Sequence, residues 1–165
     1  MKCKSCVTEQ HCPSGWERLS PGTKHCYRLY REKKTWHEAE QFCNGQGGHL
    51  VAVTNHEIHN YINGNNAQVW VGGTDQGTEG RWKWSDCSSW AFSQWKSFDV
   101  LEPLNPRQPN NGKDVTGVVE FGSEDCLQLR HNNDDKWHDV KCDDQQWFVC
   151  SRKLCPPPPQ GNQFE

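Results

Sequence analysis

Ten cysteines are spread from Cys3 to Cys155, and any fold of this chain has to decide where each of them goes. Only Cys3-x-x-Cys6 has the spacing of half a zinc site, and no second Cys/His pair stands at finger spacing to complete it. An even number of cysteines at scattered positions points to disulfides, and so to an oxidising compartment and a secreted, extracellular protein. At 165 residues the chain suffices for one domain with a real core and short tails. Only 33% of the residues are hydrophobic and the mean hydropathy is −1.01, so the apolar residues have to be concentrated. Nine Trp and six Phe supply large buried area per residue.

Several function classes are excluded early. The net charge is −3 with no Lys/Arg block, which argues against a nucleic-acid or membrane-surface partner. No apolar run approaches the length of a membrane span. Met1-Lys2-Cys3 carries no signal-peptide core, so the chain reads as a mature segment with an added or retained start. No Asn-x-Ser/Thr sequon is present. There is no His-Glu-x-x-His run, no Gly-x-Ser-x-Gly elbow and no Gly-rich phosphate loop, so an enzyme is not expected. The eight His are scattered, and His37, His56 and His59, near the helices, read as solvated surface residues.

Local signals place the elements. Residues 1–11 are polar with two cysteines and read as a tail tied down by disulfide. Trp16 to Tyr30 reads as two short strands around the turn Ser20-Pro21-Gly22. Thr35-Trp36-His37-Glu38 is a capping box, and Trp36, Ala39, Phe42 and Cys43 follow at helical spacing until Gly47-Gly48. Leu50 to Val53 is a short apolar strand. Thr54, with Glu57 three residues on, caps a second helix that points Ile58, Tyr61 and Ile62 inward and stops at Asn63-Gly64. Val69 to Gly73 and Trp82 to Asp86 read as strands, the second with two Trp on one face. From about residue 87 to 124 the chain is irregular and rich in Pro, Asn, Gly and Ser, a long loop of the kind that is normally functional or disordered. Cys126 to Leu129 and Trp147 to Cys150 are terminal strands, and Pro156 to Pro159 opens a polyproline-type tail.

Three short runs in the C-terminal half carry chemistry: Gln108-Pro109-Asn110, Ser123-Glu124-Asp125-Cys126 and Trp137-His138-Asp139. Ca²⁺ is hard and takes six to eight oxygens from side chains, carbonyls and water, and Asn, Gln, Asp and Glu supply them. His138 does not, because an imidazole nitrogen is a poor Ca²⁺ ligand. Trp90, Trp95 and Phe98 lie in or near the loop, where aromatic rings either stack on a bound ligand or pack beneath the loop.

Seven motifs occur in order: Trp36-x-x-Ala39, Gly48-His49-Leu50, Trp70-Val71-Gly72, Glu79-Gly80-x-Trp82-x-Trp84-Ser85-Asp86, Glu124-Asp125-Cys126, Trp137-x-Asp139-x-x-Cys142 and Phe148-x-Cys150. On these the chain resembles a C-type lectin domain from about Cys12 to Lys153. The resemblance implies an α+β double-loop fold with two helices, small antiparallel sheets and a long irregular loop. It implies the pairings Cys12–Cys26, Cys43–Cys150 and Cys126–Cys142. Cys3, Cys6, Cys87 and Cys155 fall outside the common pattern. Cys6 with Cys155 is reasonable if the chain ends lie together; Cys87 has Cys3 or a cysteine of another subunit as alternatives.

The resemblance also implies a sugar-site Ca²⁺ held by Gln108, Asn110, Glu124 and Asp139, with Pro109 cis. An auxiliary Ca²⁺ is suggested at Asp75, Glu79, Asn111 and Asp125, with Glu124 shared. His138 completes the candidate sugar-binding set but stands where the family has an Asn ligand. Gln-Pro-Asn is a hybrid of the family's mannose-type Glu-Pro-Asn and galactose-type Gln-Pro-Asp, which leaves the sugar class undecided and predicts a relaxed preference. The expected organisation is a disulfide-tethered tail at 1–11, a C-type lectin-like domain at 12–153 and a Pro-rich tail at 154–165. The expected function is a secreted, Ca²⁺-dependent, carbohydrate-binding lectin, oligomeric through disulfides or non-covalently, because single sugar sites are weak. The alternative is a module of the same fold that binds a protein or another surface and has lost the sugar.

Overall fold

The computed structural model describes residues 6–8, 11–65, 68–95, 108–112, 123–130 and 136–155. Seven strands and two helices make up the described part: β1 His25–Lys34, α1 Trp36–Gly45, β2 His49–Leu50, α2 His56–Asn63, β3 Val69–Thr74, β4 Lys83–Trp84, β5 Cys126–Arg130, β6 Lys136–Val140 and β7 Gln146–Lys153. All seven strands join in one sheet with the path β1-β7-β3-β5-β6, while β2 pairs with β7 and β4 with β3. The expectation of small antiparallel sheets is corrected in this respect: β3 and β7 run parallel, which fuses the two halves into a mixed sheet. The sequence reading missed β6 altogether, because Lys-Trp-His-Asp-Val mixes polar and apolar residues and reads as a motif.

The capping box forms as expected. Thr35 Oγ1 accepts from the Glu38 N–H at 3.4 Å, and Glu38 Oε2 accepts from the Thr35 N–H at 3.0 Å. The helix ends at Gly45, two residues before Gly47, which sits at φ +82 where an L side chain would be strained. In α2 the cap is Asn55 rather than Thr54: Asn55 Oδ1 accepts from the Ile58 N–H at 3.0 Å. His59 is buried rather than solvated, and its Nδ1 accepts from the Trp137 indole N–H at 3.4 Å. His37 and His56 are exposed as expected.

The core lies on both faces of the sheet. One face buries Val51, Val69, Val71, Leu127, Leu129, Trp84 and Trp137 against Ile58 and Ile62 of α2. The other buries Trp36, Ala39 and Cys43 of α1 against Leu50, Trp70 and Phe148. Two indoles satisfy themselves at depth: Trp36 donates to Val71 O and Trp70 to Lys34 O, each at 2.9 Å. Gly72 has a packing reason, since a Cβ there would meet Leu50 O at 2.7 Å and Ser85 Oγ at 2.9 Å. Between the faces, buried Glu40 gathers four donors: the Leu50 N–H, Ser85 Oγ, Asn44 Nδ2 and His49 Nδ1, at 2.6 to 3.0 Å.

Cys12–Cys26, Cys43–Cys150 and Cys126–Cys142 are bonded as the resemblance implied. Cys6 bonds Cys155 within the chain, so neither is available to link subunits as the oligomer reading had allowed. Cys87 is also disulfide-bonded, to a partner outside the described residues. Near the Cys6–Cys155 bridge, Val7 and Leu154 pair in parallel. Among the described residues no helix is long and apolar enough to cross a membrane. The polyproline-type run from Pro156, Phe98 and most of the expected long loop lie outside the described residues.

Candidate functional site

β6 presents Asp139 at the edge of the sheet, opposite Leu127 of β5. The peptide bond between Gln108 and Pro109 is cis. Residues 108–111 lie against that edge. The Asp139 N–H donates to Gln108 Oε1 at 3.3 Å, and Asp139 Oδ2 accepts from the Asn110 and Asn111 N–H groups at 2.8 and 2.6 Å. The Gly112 N–H donates to both Asn110 Oδ1, at 3.1 Å, and Glu124 Oε2, at 2.8 Å. Gln108, Asn110, Glu124 and Asp139 are thereby brought into one hydrogen-bonded cluster.

Asp139 is 2% exposed, and its second oxygen, Oδ1, is buried without a hydrogen-bond partner. Burial pushes its carboxyl up to about 7; the Asn110 and Asn111 N–H groups oppose the shift and the Glu124 carboxylate adds to it. A buried carboxylate with one unsatisfied oxygen, beside a second carboxylate and two amide oxygens, is a cation-seeking arrangement. His138 is placed differently. Successive side chains of a strand alternate, so Trp137 and Asp139 share one face of β6 while His138 takes the other, opposite Gln128.

Of the auxiliary candidates, Asn111, at a positive φ of 50, joins Glu79 to the Glu124 backbone, while Asp75 and Asp125 are joined to each other. The Asn111 Nδ2 donates to Glu79 Oε2 at 2.9 Å, and its Oδ1 accepts from the Glu124 N–H at 2.9 Å. The Asp75 N–H donates to Asp125 O at 3.2 Å, Asp75 Oδ2 accepts from the Gly80 N–H at 2.8 Å, and Asp125 Oδ1 pairs with Ser123 Oγ. Asp75 Oδ1 is a second buried oxygen without a partner. Burial raises the Asp75 carboxyl, the Gly80 N–H opposes this, and the Asp125 charge adds to it. Among the described residues no three of His, Cys, Asp and Glu converge tightly enough to hold a metal unaided. Any ion here therefore needs the amide and backbone oxygens as well, which is the donor set that suits Ca²⁺ and not zinc.

Trp90 and Trp95 are half-buried against the core instead of presenting a free ring. Trp90 stacks on Trp84 at 4.5 Å, and Trp95 meets Trp82 edge-on at 4.8 Å.

Residues 32–152 match the family described as Lectin C-type domain. The chain belongs to the C-type lectin domain family. It is a non-enzymatic binding module. It is 35% identical over 128 residues to C-type lectin domain family 4 member F of Mus musculus, a match covering 76% of this chain and 21% of that protein. The chain thus spans about a fifth of the length of that relative. It is 30% identical over 155 residues to Snaclec 3 of Sistrurus catenatus edwardsii, covering 87% of this chain and 85% of the relative. Among solved structures it is similar to the carbohydrate-recognition domain of the mouse scavenger receptor C-type lectin, with a TM-score of 0.67, 28% identity, and coverage of 89% of this chain and 100% of the other.

Proposed function

We propose that this C-type lectin domain is a secreted, Ca²⁺-dependent carbohydrate-binding module whose site is assembled on Asp139. The observation that carries the reading is the buried, unpartnered Oδ1 of Asp139 beside Glu124, Gln108 and Asn110. A Ca²⁺ held by these four residues supplies a strong electrostatic attachment for two neighbouring sugar hydroxyls. The chain's own residues do the rest. The Asn110, Asn111 and Gly112 N–H groups fix both carboxylates in place. Gln108 and Asn110 offer amide N–H groups that only donate, so hydroxyl protons have to find acceptors at Glu124 or Asp139. That division supports a relaxed choice between galactose- and mannose-type sugars. A second, auxiliary Ca²⁺ belongs around Asp75, Glu79, Asn111 and Asp125. Oligomerisation would raise the affinity of such a weak single site, and non-covalent contacts are the route open to it, since Cys87 is already bonded within the chain.

A second reading has support of its own: a module of this fold that binds a protein or another surface without sugar. His138 supplies no amide oxygen, and only Glu124 and Asp139 bring charge to the first ion. A glycan array probed in millimolar-range Ca²⁺ and again in chelator separates the two. Sugar binding that needs Ca²⁺ and disappears in Asp139→Asn supports the first reading. An array blank under both conditions leaves the second.

A further inference from the structure

The charge of this chain is sorted by position. β1 and β7 carry Arg28, Arg31, Lys33, Lys34, Arg152 and Lys153 against one carboxylate, Glu32. The whole chain has 18 basic and 21 acidic residues, which leaves 12 and 20 for everything else. Basic residues are therefore gathered on these two neighbouring strands of an otherwise acidic molecule, by strand alternation Arg31, Lys33 and Lys153 on one face and Arg28, Lys34 and Arg152 on the other. β1 is the terminal strand of the sheet path, so its four cations line an edge that Glu17 bridges at Tyr27.

Four of these six cations are held on aromatic rings. Every cation–aromatic contact among the described residues falls here: Arg28 on Tyr30 at 4.9 Å, Arg31 on Trp147 at 5.7 Å, Lys34 on Phe42 at 5.5 Å and Arg152 on Trp16 at 5.5 Å. Stacking holds a guanidinium in one place, so less side-chain entropy is lost when an anion arrives. Among the described residues, Arg28, Arg31, Lys33 and Lys153 make no ion pair; the pairs present are Lys34–Glu32 and Glu40–His49. Arg31 and Lys33 are exposed. At about 3.3 Å per residue, Arg28 to Lys34 spans about 20 Å.

We propose that this β1/β7 edge is a second binding surface, separate from the Asp139 site, for a linear sulfated polysaccharide. Two observations favour that ligand over an acidic peptide added as an extra strand. The pairing register of β1 is broken between Tyr30 and Lys34, and Arg and Lys side chains stand along the open edge. Both features hinder strand addition and neither hinders contact with pendant sulfates. The disulfides suit an oxidising, extracellular setting, where sulfated glycans are the abundant polyanions.

The test is retention on immobilised heparin in chelator at about 0.15 M salt, where exposed charges interact over about 8 Å. The expected result is Ca²⁺-independent binding that weakens with added salt, is lost on desulfated heparin, and falls at least tenfold in Arg31→Glu/Lys33→Glu with an unchanged melting temperature. If that variant fails to fold, Arg31→Gln/Lys33→Gln is expected to lose binding in the same direction. Retention that survives Asp139→Asn keeps this surface distinct from the sugar site. The proposal is overturned by a wild-type protein that is not retained, by equal retention of the double variants, by a requirement for Ca²⁺, or by polyglutamate binding as tightly as heparin, which would make the ligand an acidic protein.

Discussion

The backbone N–H of Asn111 donates to Oδ2 of Asp139 at 2.6 Å, while the Asn111 side chain reaches Glu79 and the Glu124 backbone. One residue of the 108–112 segment thus couples both candidate ion sites. Removing its side chain should loosen both, so Asn111→Ala is expected to weaken Ca²⁺ by about tenfold or more, through the loss of the hydrogen bond to the Glu79 carboxylate, of a kind worth about 1.5–3 kcal/mol, and of the one from the Glu124 N–H. Calorimetric titration of the variant checks this; affinity equal to wild type would show that the two sites are independent of Asn111.

Ca²⁺ should stabilise the fold by mass action, because it binds the folded state through groups scattered in sequence. At about 100-fold excess over its dissociation constant the gain is about 2.7 kcal/mol. Thermal melts of wild type and Asp139→Asn, each with Ca²⁺ and with chelator, are expected to show a larger Ca²⁺-dependent rise in the wild type than in the variant, which keeps only the auxiliary site.

The pH dependence follows from Asp139, whose carboxyl burial lifts to about 7 from an ordinary 3.8. A raised folded value means that the metal-free domain draws stability from the protonated group at acid pH and loses it as pH climbs through about 7. Ca²⁺ needs the ionised form, so its apparent affinity should fall by about tenfold per pH unit below that point. His138 lies on the other face of β6, so His138→Asn should leave the profile in place. Titrations between about pH 5.5 and 8 decide it; a flat profile for wild type removes Asp139 as the governing group.

Asn55, not Thr54, caps α2, so Asn55→Ala should cost about 1 kcal/mol and Thr54→Ala much less. Urea unfolding midpoints of the two variants give the comparison, and equal losses would count against the cap.

Glu40 accepts four hydrogen bonds while 8% exposed. Glu40→Ala strands the buried Leu50 N–H and His49 ring, and is expected to destabilise by about 3 kcal/mol or more. Glu40→Leu separates lost packing from lost pairing in the same denaturation experiment.

How much of this was legible beforehand depends on the kind of signal. Aromatic and cysteine positions announced themselves, because Trp36, Trp70 and Phe148 have nowhere to go but the core and their spacing to Cys43, Cys126 and Cys150 is distinctive. The capping box at Thr35 was legible for the same reason: its two hydrogen bonds are local. Thr54 and Asn55 were not separable, since each is a good cap and each has a residue three places on whose N–H it could take. His59 looked solvated because a helix of eight residues gives little periodicity to read, and its burial depends on Trp137, 78 positions away. The order β1-β7-β3-β5-β6 and the parallel β3/β7 pair are long-range choices that no local pattern encodes. The site residues were readable as oxygen donors, but the orphaned oxygens of Asp139 and Asp75 appear only once the chain is folded.

The Cys6–Cys155 bridge holds two backbone positions 149 residues apart with their Cα atoms 4.8 Å from each other. A segment clasped in this way has its entrance and exit at a single point. It could be spliced into a surface turn of an unrelated protein without spreading that turn, and tension applied at Cys6 and Cys155 would load the clasp before the sheet. Mechanically, the lectin fold behaves as a pendant on a closed ring.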